Sequence, residues 1–339
     1  MSALLPPGLY PFGTRPDGQE VRCIVLSDGV LTVAVLTQGV ILQDVRLAGV
    51  PYSLTIGTDT LDPYLGDMRS CGSLIGPVIN RISNASARIG GTVCRFEANQ
   101  DGLHTRHSGA AGTQMKLWDV SERSDTAVTL ECSLPDGEGG FPGNRAVAAR
   151  LSLPEPGLLE LRVAVTTDRD TIVNFANHSY WNLDGTETYA GHRLRVDADR
   201  RCLTDETALV TGEVEPVFGS FFDFRDGRVL SPGTDPRIDV NMCVSTRRRA
   251  PTEVLTLTGR SGVSMTVATT EPGVQLYDAA LFKNAGAEGH DGRGNGPFCG
   301  LAIEPQGWPD APNRPQFPSI LLEEGHAYEQ VSTYRFARG

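Results

Sequence analysis

The 339-residue sequence predicts an all-β protein, a large sandwich or barrel built from many short strands. Apolar and polar residues alternate with the period of two that is typical of half-buried strands. Turn-forming residues, 38 glycines and 22 prolines, occur along the whole chain and keep the periodic segments short. No segment has the apolar spacing of an amphipathic helix of three turns or more. Because no change of composition marks a linker, we expect residues 1–339 to form a single domain.

Individual strand pairs follow from this pattern. The stretch LTVAVLTQGVILQDVRL (31–47) supplies two strands broken at Gly39. In LLELRVAV (158–165) every second residue is apolar, and the PEPG before it (154–157) has turn chemistry, so a hairpin with the preceding apolar residues is expected. The stretch EVLTLTGRSGVSMTV (253–267) predicts a second hairpin, with GRSG as its loop.

Composition argues against several classes of function. The formal net charge of -11 would repel nucleic acid and anionic membrane surfaces. The seven cysteines are odd in number, scattered and without a CxxC pair, which favours reduced thiols over a zinc or redox site. The N-terminus lacks the basic and apolar regions of a signal peptide. We therefore expect a cytoplasmic protein with no nucleic-acid or membrane partner, as a monomer or weak homodimer.

Polar and aromatic residues are concentrated in four segments. These are GPVINRISNAS (76–86), HTRHSG (104–109), NFANHSYWN (174–182) and IEPQGWPDAPNRPQFPS (303–319). Amides hydrogen-bond hydroxyls in both directions, and aromatic faces pack against the C–H faces of a pyranose ring. Two of the three tryptophans, Trp181 and Trp308, lie in these segments. The residue chemistry therefore favours a sugar site.

Each candidate also has a purely structural interpretation. Arg81 could bridge strand carbonyls, and His104 and His107 could lie on a loop surface. An isolated histidine such as His178 is more often a satisfied structural residue than a catalyst, and Glu304 at a strand end could cap a turn. Metal and nucleotide sites have little support, since HExxH, GxGxxG and GxxxxGK[ST] are all absent, as is the GxSxG of serine hydrolases. We expect no cofactor and no metal.

Six motifs together resemble one family. In order and spacing, the chain is similar to the aldose 1-epimerases, or galactose mutarotases, in GPVINRISNASARIGG, EANQDGLHTRHSG, PDGEGGFPGN, VNFANHSYWNLDG, TTEPGVQLY and IEPQGWPDAPNRPQFPS. The likeness runs from about residue 20 to the C-terminal TYRF, which is nearly the whole chain. It implies a large antiparallel β-supersandwich with an open sugar-binding cleft. It also implies interconversion of the α and β anomers of a free aldose without a cofactor.

The resemblance assigns roles to named residues. Opening a hemiacetal ring needs one proton delivered to the ring oxygen and one removed from the C1 hydroxyl. The resemblance implies that His178 is the general acid, Glu304 the general base and His107 the second histidine on the ring-oxygen side. A histidine of ordinary pKa suits the acid, and a glutamate suits the base if it stays ionised. The residues expected to bind the substrate are Asn80, Arg81, Tyr180, Asp239 and Gln275.

The chain also departs from the family pattern. Arg106-His107-Ser108-Gly109 stands where LHGG is usual, and Val240 stands where a histidine usually follows the aspartate. Pro305 and Trp308 replace commoner residues. We expect these departures to alter the cleft wall and the choice of sugar.

Other functions remain open at this stage. A hexose-phosphate epimerase would need a further cationic cluster, which the sequence does not reveal. A sugar-binding or sensing protein on the same scaffold would bind without catalysis. A glycosidase is disfavoured because it usually needs two catalytic carboxylates, although Asp239 could in principle be the second.

Overall fold

The structure is a computed structural model that describes residues 5–284 and 286–339. The first strands are β1 (Gly8–Thr14), β2 (Glu20–Ser27), β3 (Leu31–Leu36), β4 (Ile41–Leu47), β5 (Leu74–Ile75), β6 (Arg81–Ile82), β7 (Ser86–Ile89), β8 (Thr92–Arg95) and β9 (Thr105–Arg106). The middle strands are β10 (Asp119–Arg123), β11 (Ala127–Leu134), β12 (Arg145–Glu155), β13 (Leu158–Thr167), β14 (Thr171–Ile172), β15 (Ala176–Asn177), β16 (Tyr180–Trp181), β17 (Arg193–Val196), β18 (Arg200–Thr204), β19 (Val210–Pro216) and β20 (Arg228–Val229). The last strands are β21 (Asp239–Cys243), β22 (Thr252–Thr258), β23 (Val263–Thr269), β24 (Gly273–Tyr277), β25 (Leu301–Gln306), β26 (Leu321–Leu322) and β27 (Ala327–Arg338).

Helical structure is sparse. Within the described residues the only α-helix is α1 (Asp62–Leu65), four residues long. The 3₁₀ turns are Ser83–Ala85, Gly109–Ala111, Thr113–Met115, Glu138–Gly140, His290–Gly292 and Ala311–Asn313. No helix in this part of the chain has the length and apolar character needed to span a membrane. The all-β prediction is confirmed.

Two large antiparallel sheets dominate the architecture. One has nine strands in the order β10-β11-β12-β13-β27-β23-β22-β17-β20, and the other has six in the order β16-β25-β24-β21-β18-β19. A four-stranded sheet, β1-β2-β3-β4, and four two-stranded ladders complete the described fold. Each of the two predicted hairpins forms as expected, β12 with β13 and β22 with β23. The break at Gly39 is also present, because this residue has a φ of 60° and separates β3 from β4.

The alternation of side chains in the six-stranded sheet separates a core face from a polar face. Val240 and Met242 of β21, Leu276 of β24 and Ile303 of β25 belong to the main apolar core, which they share with residues of the nine-stranded sheet. Successive residues of a strand point to opposite faces. The residues between these apolar ones, among them Glu304, therefore lie on the other face. The sheet thus presents a polar face that apolar packing on the opposite side holds in place.

Candidate active site

Three neighbouring strands bring predicted site residues together on the polar face. Gln275 of β24 and Glu304 of β25 are directly opposite each other in the antiparallel register. Asp239 lies one strand further, at the start of β21, and its Oδ1 accepts a 2.6 Å hydrogen bond from Gln275 Nε2. A row of acidic and amide groups therefore crosses the sheet, and Glu304 forms its most buried end.

His178 faces Glu304 from the segment that precedes β16. The distance from His178 Nε2 to Glu304 Oε1 is 3.6 Å, and the two side chains are 4% and 2% exposed. The backbone of His178 is held on both sides, since its N–H donates to Ser73 O at 2.9 Å and its carbonyl accepts from Gly72 N at 3.0 Å. The structure thus places the two residues expected to transfer protons side by side.

Burial decides which member of this pair holds a proton. Burial and the charge of Asp239 raise the pKa of Glu304 to about 8, against the opposing effects of Arg106 and Arg81. Burial and the charge of Arg106 lower the pKa of His178 to about 3. Between these values the pair carries one proton, which resides on Glu304. The expectation of an ionised glutamate beside a histidine of ordinary pKa is therefore wrong for the protein without a bound sugar.

His107 is a neutral hydrogen-bond donor aimed at the same site. The backbone N–H of Asn80 donates to His107 Nδ1 at 3.3 Å, so the imidazole proton lies on Nε2. Nε2 is buried and has no hydrogen-bond partner among the described residues. Burial, with the nearby charge of Arg106, holds the pKa of His107 well below its ordinary value. Its ring meets that of His178 edge-on, with 5.6 Å between the centroids.

The loop that carries His107 has a left-handed backbone. His107 and Ser108 have φ values of 52° and 58°. The Ser108 hydroxyl accepts from Val78 N and donates to Val78 O, both at 2.9 Å. Ser108 therefore anchors the loop from behind. His104 is also structural, since it is buried and its Nδ1 accepts from Asn84 N at 3.1 Å.

Arg81 lies on β6 and reaches the Asp239 end of the polar row. Its Nη2 is 3.7 Å from Asp239 Oδ2, and its Nε donates to Gln100 Oε1 at 3.1 Å. Burial raises the pKa of Asp239, and the charge of Arg81 opposes that rise. The neighbouring Asn80 uses its Oδ1 to accept from Arg81 N at 2.9 Å.

Tyr180 forms an aromatic wall beside His178. Its ring centroid is 5.1 Å from that of His178 and 5.0 Å from that of Phe282, which meets it edge-on. Burial raises the pKa of Tyr180 well above its ordinary value, so the phenol stays protonated. All eight residues predicted for the site are therefore on or beside the polar face, and their roles remain predictions.

Trp181 and Val240 do not line the site. Trp181 is 0% exposed and packs against Tyr334 and Phe336, with centroid distances of 5.5 Å in both cases. Val240 is 2% exposed and belongs to the same core. Both side chains point away from the polar face, so the expectation that Val240 alters the cleft wall is wrong. Trp308 is also buried, and it packs against Phe317.

The asparagines around His178 have structural roles. Asn177 Nδ2 donates to Gly72 O at 2.6 Å, and Asn174 Oδ1 accepts from Gly307 N at 2.7 Å. Asn182 Nδ2 donates to Cys299 O at 2.8 Å. These amides tie the His178 segment to residues on either side of β25 and to Gly72, so they fix the position of the imidazole.

Arg106 is a site residue that sequence reasoning named only as a departure from the family pattern and did not place among the binding residues. It is directly opposite Arg81 in the β6–β9 ladder. Its charge lowers the pKa of both His178 and Glu304, which places its guanidinium within electrostatic reach of the pair. The available signal was its position immediately before His107, in a loop already expected to contribute to the site.

Comparisons with known proteins agree over nearly the whole chain. A family model described as aldose 1-epimerase matches residues 22–335. A galactose mutarotase from Pongo abelii is 30% identical over 336 residues, which are 96% of this chain and 97% of that protein. An aldose 1-epimerase from Escherichia coli (strain K12) is 26% identical over 342 residues, which cover 95% of this chain and 96% of that protein. A crystal structure of a GalM/aldose epimerase homologue from C. elegans matches with a TM-score of 0.85 and 27% identity, over 93% of this chain and 98% of that one.

Proposed function

The chain belongs to the aldose 1-epimerase family, and from the geometry of the His178–Glu304 pair we propose that these two side chains carry out the proton transfers of its reaction. The protein is an isomerase that interconverts the α and β anomers of a free aldose. The observation that carries the assignment of roles is a buried imidazole 3.6 Å from a buried carboxyl group. Both groups can then reach a ring oxygen and the C1 hydroxyl of one sugar.

Ring opening requires the pair in its charged form. The Glu304 carboxylate removes the proton of the C1 hydroxyl, and the electrons of that O–H bond form the C1 carbonyl. The bond from C1 to the ring oxygen breaks, and the ring oxygen takes its electron pair and a proton from His178 Nε2. Rotation about C1–C2 presents the other carbonyl face, and the reverse transfers close the ring. No atom or electron is gained or lost overall.

Burial favours the opening step through electrostatics. The transfer starts from an imidazolium and a carboxylate and ends with a neutral imidazole and a carboxylic acid. Separated charges are costly in a buried site, so the neutral arrangement is the more stable one. The pKa of Glu304 near 8 and that of His178 near 3 express this preference. A bound C1 hydroxyl that donates to Glu304 stabilises the carboxylate from which the transfer starts.

The remaining residues would position the sugar. His107 Nε2–H is a buried donor without a protein partner among the described residues, and we assign it to the ring-oxygen side. Asp239 and Gln275 offer an acceptor and a donor for hydroxyls, and Arg81 adds donors. Asn80 supports this group through its contacts with Arg81 and His107, and we assign its amide NH₂ to a sugar hydroxyl. Tyr180 supplies an aromatic wall.

The cytoplasmic location is also a proposal. It is supported by the seven cysteines, all of which are free. Free thiols persist in reducing compartments. The assembly as a monomer or weak homodimer stays a prediction that sedimentation can test.

Polarimetry tests the proposed roles. Freshly dissolved α-glucose, α-galactose and other aldoses would be followed with the wild-type protein and with Glu304→Gln. We expect the wild-type protein to accelerate relaxation of at least one aldose and the variant to lose about 10²–10⁴ of that acceleration. Equal, near-buffer rates for both proteins with every sugar would contradict the proposal. Saturable sugar binding by calorimetry with no acceleration would instead indicate a binding protein.

A further inference from the structure

Arg106 adds a second guanidinium to the Asp239 end of the site. It pairs directly with Arg81 across the two-stranded β6–β9 ladder, and directly opposed residues of an antiparallel pair share one face. The backbone of Arg106 is fixed by Asn99, whose Oδ1 accepts from Arg106 N at 2.7 Å and whose Nδ2 donates to Arg106 O at 2.9 Å. The backbones of the two arginines are therefore held side by side, and their side chains share one face.

The local charges leave Arg106 without a protein partner. Arg81 is 3.7 Å from Asp239 and bonded to Gln100, whereas the guanidinium of Arg106 has no ion pair or hydrogen bond within the described part of the chain. Asp205 also acts on Arg81 through space. Its Oδ1, however, already accepts hydrogen bonds from Thr207 N, Thr207 Oγ1 and Leu209 N. One positive charge at this end of the site is thus uncompensated by a direct contact.

Exposure increases from the proton-transfer pair towards Arg106. Glu304 is buried, the side chains of Arg81 and Asp239 are 12% and 27% exposed, and Arg106 is exposed. The reacting atoms of a sugar, C1 and the ring oxygen, must reach the buried end. Substituents away from C1 then extend towards the open end, where Arg106 stands.

We infer that Arg106 binds an anionic substituent of the substrate and that the aldose is a hexuronate, which carries a carboxylate at C6. This inference rests on the proposed function and names its substrate class. A guanidinium binds a planar carboxylate through two parallel hydrogen bonds, so one free arginine is sufficient. A phosphate dianion shares the same chemistry but would meet stronger repulsion from Asp239 and Asp205. The monoanionic carboxylate is therefore the better match.

The experiment compares kcat/KM for matched sugars that differ in charge. Galacturonate would be compared with galactose, and glucuronate with glucose. Glucose 6-phosphate would be included to test whether the site prefers a phosphate to a carboxylate. We expect the wild-type protein to favour at least one hexuronate over its neutral partner. Arg106→Leu should lower that ratio at least about tenfold, since a charge-assisted hydrogen bond is lost. Arg106→Lys, which keeps the charge, should retain part of the preference.

An exposed arginine elsewhere supplies the matched control. Arg123 is exposed on β10, at the edge of the nine-stranded sheet, and Arg123→Leu changes the net charge equally. It should leave the ratio of hexuronate to hexose unchanged. Raising the salt concentration from about 0.05 to about 0.5 M should weaken the preference for the hexuronate in the wild-type protein.

The outcomes separate this inference from the proposed function. The inference would be overturned if the protein accelerated neutral hexoses but showed no preference for hexuronates. It would also be overturned if Arg106→Leu left the ratio of kcat/KM for hexuronate to hexose unchanged. Either result would leave the epimerase activity standing. A preference for glucose 6-phosphate over both hexuronates would overturn the assignment to a carboxylate. Absence of acceleration with every sugar would overturn the proposed function itself.

Discussion

The pH dependence of kcat/KM should report the single proton of the His178–Glu304 pair. Catalysis requires the pair to hold one proton, whichever residue carries it. The pair holds one proton at pH values above the pKa of His178, about 3. It loses that proton as the pH rises through the pKa of Glu304, about 8. We therefore expect kcat/KM to be level between about pH 6 and 7 and to fall on the alkaline side.

The size of the alkaline fall follows from that pKa. With a value of about 8, roughly one tenth of the pair remains protonated at pH 9 and roughly one hundredth at pH 10. The loss of kcat/KM should therefore approach tenfold per pH unit above pH 8. A glutamate with its ordinary pKa would move the start of this fall to about pH 4, and kcat/KM would then have no level region between about pH 6 and 7.

Two variants should move this limb in opposite directions. The charge of Asp239 raises the pKa of Glu304, so Asp239→Asn should shift the limb to lower pH. The charge of Arg106 lowers that pKa, so Arg106→Leu should shift the limb to higher pH. The pH at which kcat/KM begins to fall can be measured even if a variant retains only part of the wild-type activity.

The assay is polarimetric relaxation of one α-aldose at constant ionic strength, with the rate of the Glu304→Gln protein subtracted at each pH. A level profile up to pH 10 would refute the raised pKa of Glu304. A limb that both variants shift in the same direction would refute the electrostatic explanation for its position.

Two further substitutions test the site and the core. His178→Asn should lower kcat by about 10²–10⁴ and leave sugar affinity, measured by calorimetry, within about tenfold, because a transition-state proton transfer is lost. A large loss of affinity with normal turnover at saturation would contradict that role. Val240→His should reduce the free energy of unfolding, measured by denaturant titration, by roughly 1–3 kcal/mol, since it buries a polar group in the core. A changed sugar preference at unaltered stability would place residue 240 in the site instead.

The alternation that predicted the strands also explains why Trp181 and Val240 lie outside the site. His178 and Tyr180 lie on one side of their segment, whereas Trp181 follows Tyr180 and enters the core. Asp239 and Val240 are likewise adjacent on one strand and point to opposite faces. Trp181 belongs to one of the polar segments and Val240 is a departure from the family pattern, but the period of two directs both side chains into the core.

Arg106 illustrates a feature that the sequence pattern could not reveal. Regular alternation would send Arg106 and His107 to opposite faces. The left-handed φ values of His107 and Ser108 interrupt the extended backbone, so both Arg106 and His107 lie near His178. Neither residue is a glycine, and non-glycine residues rarely adopt this conformation. The sequence therefore carried no local sign of the turn that brings both side chains to the site.

The residue types of a proton-transfer pair can be read from a sequence, whereas the location of the proton depends on burial and on charges from distant segments. Burial alone would raise the pKa of Glu304, and Asp239 raises it further. Arg81 and Arg106 oppose that rise from two strands far away in the chain. The resulting value, about 8, lies near operating pH, where a proton can be both accepted and released. The arginines thus keep a buried carboxyl group usable as a base, a role separate from any contact that they make with the sugar.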